Sequence, residues 1–99
     1  MRPIHLARLD KSRPALVLTR EQVRGHRRWV TVAPVTSTVR GLSTEVSVGP
    51  SNGLDHDSVV SLDNITTIPA ADLGRRIGRL MPEQEAALTE AMHAAFDLV

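Results

Sequence analysis

The apolar residues of this chain come in runs of strand length, each cut short by turn-forming residues, until Pro82; beyond it they fall at helical spacing. That change of period leaves few architectures open. Arg2 to Leu9 sets Ile4, Leu6 and Leu9 against His5 and Arg8 and reads as a strand. Asp10-Lys11-Ser12-Arg13 has turn composition, ended by Pro14, and Ala15-Leu16-Val17-Leu18 is an apolar run that a sheet would bury on both faces. Thr19 to Arg28 is polar, with Gly25 as a breaker, and is expected to be a loop holding at most one helical turn. Trp29 to Ala33 forms a third strand, with Val30 and Val32 on one face and Trp29, Thr31 and Ala33 on the other. Pro34 is expected to stop it, and Val35 to Gly41 to form a loop. Thr44 to Val48 and Ser58 to Leu62 are two further strands around the dense turn signal Gly49-Pro50-Ser51-Asn52-Gly53. Pro69 to Leu73 reads as a helical turn closed by Gly74, and Arg75 to Leu80 as a last strand.

After Pro82, Leu88, Ala91, Met92, Ala95 and Phe96 fall at i, i+3, i+4, i+7 and i+8, the single stripe of an amphipathic helix. Proline suits its first position, and Glu83 and Glu85 oppose the positive end of its dipole. Met81, at the N-cap, has no side-chain acceptor for the free amides. Many short strands followed by one terminal helix predict a mainly-β, α+β fold, a small barrel capped by a C-terminal amphipathic helix. At 99 residues there is room for one domain. A chain of this size buries a modest share of its surface, which a homodimer would increase.

Cysteine is absent, which excludes a disulfide framework and a thiolate zinc site. The N-terminus, Met1-Arg2-Pro3-Ile4-His5-Leu6, opens no apolar run long enough for a signal peptide or a membrane span. The expectation is a soluble, cytoplasmic protein. Net charge is +1 but unevenly spread: residues 1–48 hold nine of the twelve basic residues against Asp10, Glu21 and Glu45, whereas residues 49–99 hold eight of the eleven acidic ones. Eleven of the twelve basic residues are arginine, whose planar fork grips phosphate at two points. A polyanion-facing side follows, with a solvated arginine-rich face as the plainer alternative. Trp29 and Phe96 are the only aromatic side chains, too few for a base-stacking platform.

The chemistry-bearing residues narrow the choice further. His5, His26, His56 and His93 are spread over a strand, a basic loop, an acidic loop and the terminal helix, with no spacing that pairs two as acid and base. Asp55-His56-Asp57 offers metal-type ligands, but such residues gather beside Asn52-Gly53 as turn formers, and no further ligand follows at a metal-site spacing. Phosphate-binding glycine loops and the elbow of a nucleophilic serine are both missing. What remains is Arg13, before Pro14 at the start of a buried strand, and Thr36, just past Pro34. A fixed guanidinium facing a hydroxyl can hold a phosphate and stabilise developing charge. On chemistry alone the plainer reading, a solvated turn arginine and a loop hydroxyl capping the backbone, has the advantage.

Arg13-Pro14-Ala15-Leu16-Val17-Leu18, then Val32-Ala33-Pro34-Val35-Thr36-Ser37, then Gly53-Leu54 before Ser58-Val59-Val60-Ser61-Leu62-Asp63-Asn64-Ile65, follow one another in an order that resembles the MazF/PemK toxin family. Leu73-Gly74-Arg75-Arg76-Ile77-Gly78-Arg79-Leu80, running into the helix, extends the resemblance over nearly the whole chain. It implies an SH3-like barrel, a homodimer, and a sequence-selective endoribonuclease of a type II toxin–antitoxin system. Such an enzyme cuts single-stranded RNA (messenger, transfer or ribosomal) with no metal or other cofactor, leaving 2′,3′-cyclic phosphate and 5′-hydroxyl ends. The catalytic pair of the Arg-Pro and Pro-x-Thr-Ser motifs falls on Arg13 and Thr36. RNA contacts fall on Lys11, Ser12, Arg28, Ser37, Arg40 and Asn64. The implied partner is a cognate antitoxin whose acidic, disordered segment enters a groove lined by Lys11, Arg13, Arg28 and Arg40. Arg24 and Arg27, with Arg28 and Arg40, are expected to steer the RNA backbone.

Two segments depart from the family pattern. Asp10-Lys11-Ser12 replaces a longer glycine-rich loop with an acidic residue, and Asp63-Asn64-Ile65-Thr66-Thr67 replaces Asp-Gln-Ile-Arg-Thr. The recognised RNA sequence therefore does not carry over. The alternatives are a CcdB-like toxin acting by binding a topoisomerase, whose Trp-Gly-Ile tail is here Asp97-Leu98-Val99, and a non-catalytic RNA-binding barrel.

Overall fold

The computed structural model describes residues 2–20, 24–25 and 27–98. Seven strands among them form one curled antiparallel sheet, a half-barrel: β1 (Pro3–Arg8), β2 (Ser12–Val17), β3 (Trp29–Thr36), β4 (Glu45–Val48), β5 (Ser58–Ser61), β6 (Thr66–Pro69) and β7 (Leu73–Arg79). One long helix among the described residues, α1 (Pro82–Ala95), follows β7. The strands run β4-β5-β3-β2-β1-β7, with β6 also against β3. The mainly-β fold with a C-terminal helix expected from the alternation and the late change of period is borne out, the expected small barrel being a half-barrel. The loop expected over Thr19 to Arg28 lies partly outside the described residues, and His26 lies wholly outside them.

β3 corrects the expectation that Pro34 would end it, since the strand runs on to Thr36. Leu18 N–H donates to the Thr31 carbonyl at 2.8 Å, and this phases the β2–β3 ladder. Leu16 and Ala33 then form a hydrogen-bonded pair, and Ala15 and Pro34 a pair without hydrogen bonds. Pro34 therefore turns its nitrogen away from β2, toward the other edge of β3. There β6 pairs with Trp29 to Val32 and β5 with Val35 and Thr36. The missing donor falls at the handover between two partners, where a proline removes nothing from the sheet. β6 is the strand that the sequence leaves unmarked. Of its four residues only Ile68 is buried, so no alternation betrays it.

Alternate residues of the central strands feed two cores. Ile4, Leu16, Ala33, Val35, Val46, Val60 and Leu62 pack beneath α1 with Leu80, Leu88 and Ala91. Ala7, Ala15, Val17, Val30, Val32 and Ile68 fill the other face. The helical stripe is confirmed in Leu88 and Ala91 and in the half-buried Met92 and Ala95, but Phe96 is 54% exposed. Phe96 follows the last helical residue with φ −110° and ψ 11°, so the helical phase stops short of it.

The helix start is stronger than Met81 alone implies, because Gln84 Oε1 accepts the Met81 N–H at 2.8 Å. Gln84 also pairs with the fully buried Asn52, whose Nδ2 donates to Gln84 Oε1 at 2.7 Å and to the Arg79 carbonyl at 2.9 Å. Asn52 Oδ1 accepts the Gly49 N–H at 3.0 Å. One side chain thus ties the Pro50–Asn52 turn to β7 and to the start of α1. Replacing it by a shape-matched leucine leaves several buried groups without partners, each costing about 1–3 kcal/mol. Asn52→Leu should lower unfolding stability in urea by about 3 kcal/mol. A loss under about 1 kcal/mol would mean that water replaces these bonds freely.

Candidate active site

Continued two residues past Ala15–Pro34, the β2–β3 register sets Arg13 across from Thr36. Both lie at period two from Ala15, Val17, Val30 and Val32, on the face of the second core, at its open end. Together they form a wall shared by two depressions. The larger, about 620 Å³, is lined by Asp10, Arg40, Glu45, Asp63, Asn64 and Thr66 beyond that wall. The smaller, about 450 Å³, is lined by Lys11, Ser37, Leu54, Asp55, His56 and Ser58.

Arg13 is held but not saturated. Its Nη2 donates to Asp10 Oδ2 at 2.9 Å, while its Nε is buried with no hydrogen-bond partner among the described residues. A buried guanidinium N–H without an acceptor is costly unless a ligand supplies one. Thr36 Oγ1 accepts the Thr38 N–H at 3.1 Å, which fixes the hydroxyl oxygen and leaves its proton to be donated.

The strand start explains why Arg13 is rigid: it is the second residue of β2, with Ala7 opposite in β1. Arg40 sits on a loop that Glu45 organises. The Glu45 carboxylate accepts the N–H groups of Arg40, Gly41 and Leu42, at 3.2, 2.9 and 3.2 Å through Oε1. Glu45 is the positioning residue that sequence reasoning missed, and its signal lies in a position opening β4 four residues past Gly41. Asn64 is braced too, its Nδ2 donating to Ser61 Oγ at 2.8 Å.

Of the residues expected at the site, Arg13, Thr36, Lys11, Ser37, Arg40 and Asn64 are brought together around the wall. Ser12 is not. It neighbours Arg13 on a strand, points to the other face, and lines a separate depression with Leu6, Arg8 and Asp72. Arg28 stands just before β3, at the opposite end of that strand from Thr36, where its carbonyl accepts the Ala70 N–H at 2.7 Å. Arg24 serves its own loop, its Nε donating to the Thr19 carbonyl at 3.2 Å. Asp55, His56 and Asp57 join no group of three or more His, Cys, Asp or Glu able to hold a metal ion, among the described residues. Their loop nevertheless places His56 in the smaller depression, while the His5 ring is engaged by the Gly74 carbonyl at 2.8 Å and His93 lies on α1. No helix among the described residues is long and apolar enough to cross a membrane.

A family model described as PemK-like, MazF-like toxin of type II toxin-antitoxin system matches residues 4–96. The chain belongs to this family. It is 64% identical over 98 residues to the endoribonuclease MazF3 of Mycobacterium tuberculosis strain H37Rv, a match covering 99% of this chain and 95% of that one. The solved Mycobacterium tuberculosis toxin MazF-mt6 superposes with a TM-score of 0.97 at 63% identity, covering 99% of both chains. A mycobacterial endoribonuclease solved in complex with its cognate antitoxin superposes with a TM-score of 0.86 at 26% identity, covering 98% of this chain and 93% of that one. The MazF-type half-barrel is thus reproduced over its full length, with the Arg-Pro and Pro-x-Thr-Ser segments on adjoining strands.

Because Glu45 alone gathers three loop amides, its removal should release the loop that carries Arg40. Charge-assisted bonds of this kind contribute about 1.5–3 kcal/mol. In Glu45→Ala, amide exchange at Arg40, Gly41 and Leu42 should quicken by about ten- to a hundredfold, with β2 and β3 unchanged. Unaltered exchange would show that the loop is held by something else.

Proposed function

We propose that the Arg13–Thr36 wall cleaves single-stranded RNA by directing the RNA's own 2′-hydroxyl onto the adjacent phosphorus, with no metal, to leave 2′,3′-cyclic phosphate and 5′-hydroxyl ends. At the coarser level the chain is a MazF-type toxin endoribonuclease of a toxin–antitoxin system. The observation that carries the finer reading is the Arg13 guanidinium, held by Asp10 alone among the described residues, beside a fixed hydroxyl and between two open depressions. A phosphodiester seated there meets the exposed part of the guanidinium that Asp10 leaves open and places one nucleotide in each depression. Charge grows on the non-bridging oxygens as the fifth bond to phosphorus forms. Arg13 opposes that charge in a partly buried setting, with its side chain 25% exposed, and Thr36 donates to a second oxygen. Internal attack needs no nucleophile from the protein. Arg40 and Lys11 meet the flanking phosphates, and Asn64 a neighbouring base or sugar. Selectivity for short RNA sequences resides in the side chains lining the two depressions.

Arg13→Ala and Thr36→Ala should each slow cleavage by about a hundredfold or more while remaining folded. Cleavage by the unaltered protein should persist in EDTA at moderate salt. A folded Arg13→Ala protein that cuts at the wild-type rate would end the assignment. Loss of activity in EDTA with recovery on adding a divalent ion would return attention to Asp55, His56 and Asp57.

The same wall serves regulation. A carboxylate fits the Arg13 guanidinium as a phosphate does, so an acidic, initially disordered antitoxin segment would compete with RNA for Arg13, Lys11 and Arg40. The working unit is taken to be a homodimer in the cytoplasm. An acidic antitoxin-like peptide should displace a labelled, uncleavable oligonucleotide, and Arg13→Ala should weaken both. Simultaneous binding of the two would place inhibition elsewhere.

A further inference from the structure

Breaking a phosphodiester by 2′-hydroxyl attack leaves an alkoxide on the departing 5′-oxygen unless a proton reaches it. Neither Arg13 nor Thr36 is a useful proton donor near neutral pH. Attacking and leaving oxygens stand in line on opposite sides of the phosphorus, so a phosphate held on the shared wall has room to turn one toward each depression. The two depressions differ in kind. The larger carries the carboxylates of Asp10, Glu45 and Asp63. The smaller is lined by Lys11, Asp55 and one histidine, the exposed His56. Among the described residues the ring of His56 makes no hydrogen bond, and only its carbonyl is engaged, by Ser58 Oγ at 3.2 Å. The topology holds it there: β5 begins at Ser58, two residues on, and pairs Val59 with Thr36.

We infer that His56 is the general acid of the cleavage, protonating the leaving 5′-oxygen from the smaller depression, an inference that rests on the proposed 2′-hydroxyl mechanism. The bond from the 2′-oxygen to phosphorus forms as the bond from phosphorus to the 5′-oxygen breaks. The imidazolium proton passes to the 5′-oxygen and leaves neutral His56. The 2′-hydroxyl proton leaves toward the carboxylates of the larger depression and from there to water, which also reprotonates His56. No oxidant, reductant or metal enters the balance. The assignment fixes the polarity of the RNA: the nucleotide supplying the 2′-hydroxyl occupies the larger depression, and the one released with a 5′-hydroxyl occupies the smaller.

The test compares two oligoribonucleotides that contain a site cut by the wild-type protein, one natural and one with sulfur in place of the bridging 5′-oxygen at the cut. A thiolate departs without a proton, so the second substrate has no need of a general acid. His56→Ala should cut the natural substrate about a hundredfold more slowly or worse. It should cut the sulfur substrate at nearly the wild-type rate and bind an uncleavable oligonucleotide as tightly as wild type. His56→Gln, which keeps size and hydrogen bonding but cannot carry the proton, should behave in the same way. Equal losses on both substrates would make His56 a structural or binding residue and overturn the inference, as would wild-type cleavage of the natural substrate by either variant. Failure of the wild-type protein to yield cyclic-phosphate ends would instead remove the mechanism beneath it, and the inference with it.

Discussion

The register between β2 and β3 is the constraint on which the rest depends. One backbone hydrogen bond, from Leu18 to the Thr31 carbonyl, fixes its phase, and a slip of one residue would exchange the two cores. The cores enforce that phase from both sides, since Leu16 and Ala33 belong beneath the helix while Ala15, Val17 and Val32 belong on the other face. Arg13 and Thr36 inherit their opposition from this arrangement. That opposition is enforced by the sheet, because a wrong register would bury polar groups and expose valines, while Asp10 and Thr38 hold the two side chains themselves. The geometry of the centre is therefore as stable as the sheet.

Around that rigid wall, the surroundings divide the work. The Glu45-capped loop presents Arg40 on one side, and the loop before β5 presents His56 on the other. The charges are mixed: Asp10 already holds one end of Arg13, and Glu45 and Asp63 line the same depression as Arg40. A site so composed favours a ligand that meets the Arg13 guanidinium with an anion and offers hydrogen-bond donors beyond it. RNA does both, through its phosphates and through its hydroxyl and amino groups.

Much of the fold is legible in the sequence where the signal is local. The alternation of β4, the apolar run of β2 and the change of period at Pro82 each mark an element by themselves. The continuation of β3 through Pro34 is not legible, because it depends on β5 and β6 meeting that strand on either side of one residue. β6 is hidden for a related reason: exposed Thr66 and Thr67 earn their place by pairing with Val32 and Thr31, not by burial. At the site, Arg13 and Thr36 are plain only through the family resemblance, because turn composition around each favours a bland reading. Ser12 could not be set aside from the sequence, because Asp10 to Arg13 reads as a turn, and only the start of β2 at Ser12 gives it a face of its own. Nor could Arg28, since clustering of charge along the chain does not tell which end of a strand a residue occupies. His56 gains its significance from neighbours distant in sequence, whereas Glu45 acts on the amides of Arg40, Gly41 and Leu42 just before it, in a loop whose composition gives no sign of the cap.

The central claim is that Arg13 and Thr36 act on a single phosphate because the β2–β3 register sets them face to face. A double-mutant cycle on the rate of RNA cleavage measures this directly, using Arg13→Ala, Thr36→Ala and the two combined. Two groups serving one transition state act as a unit, so the double variant should cut hardly more slowly than the worse of the single variants. Losses that multiply, each change costing as much in the presence of the other as in its absence, would show two independent sites and contradict the account.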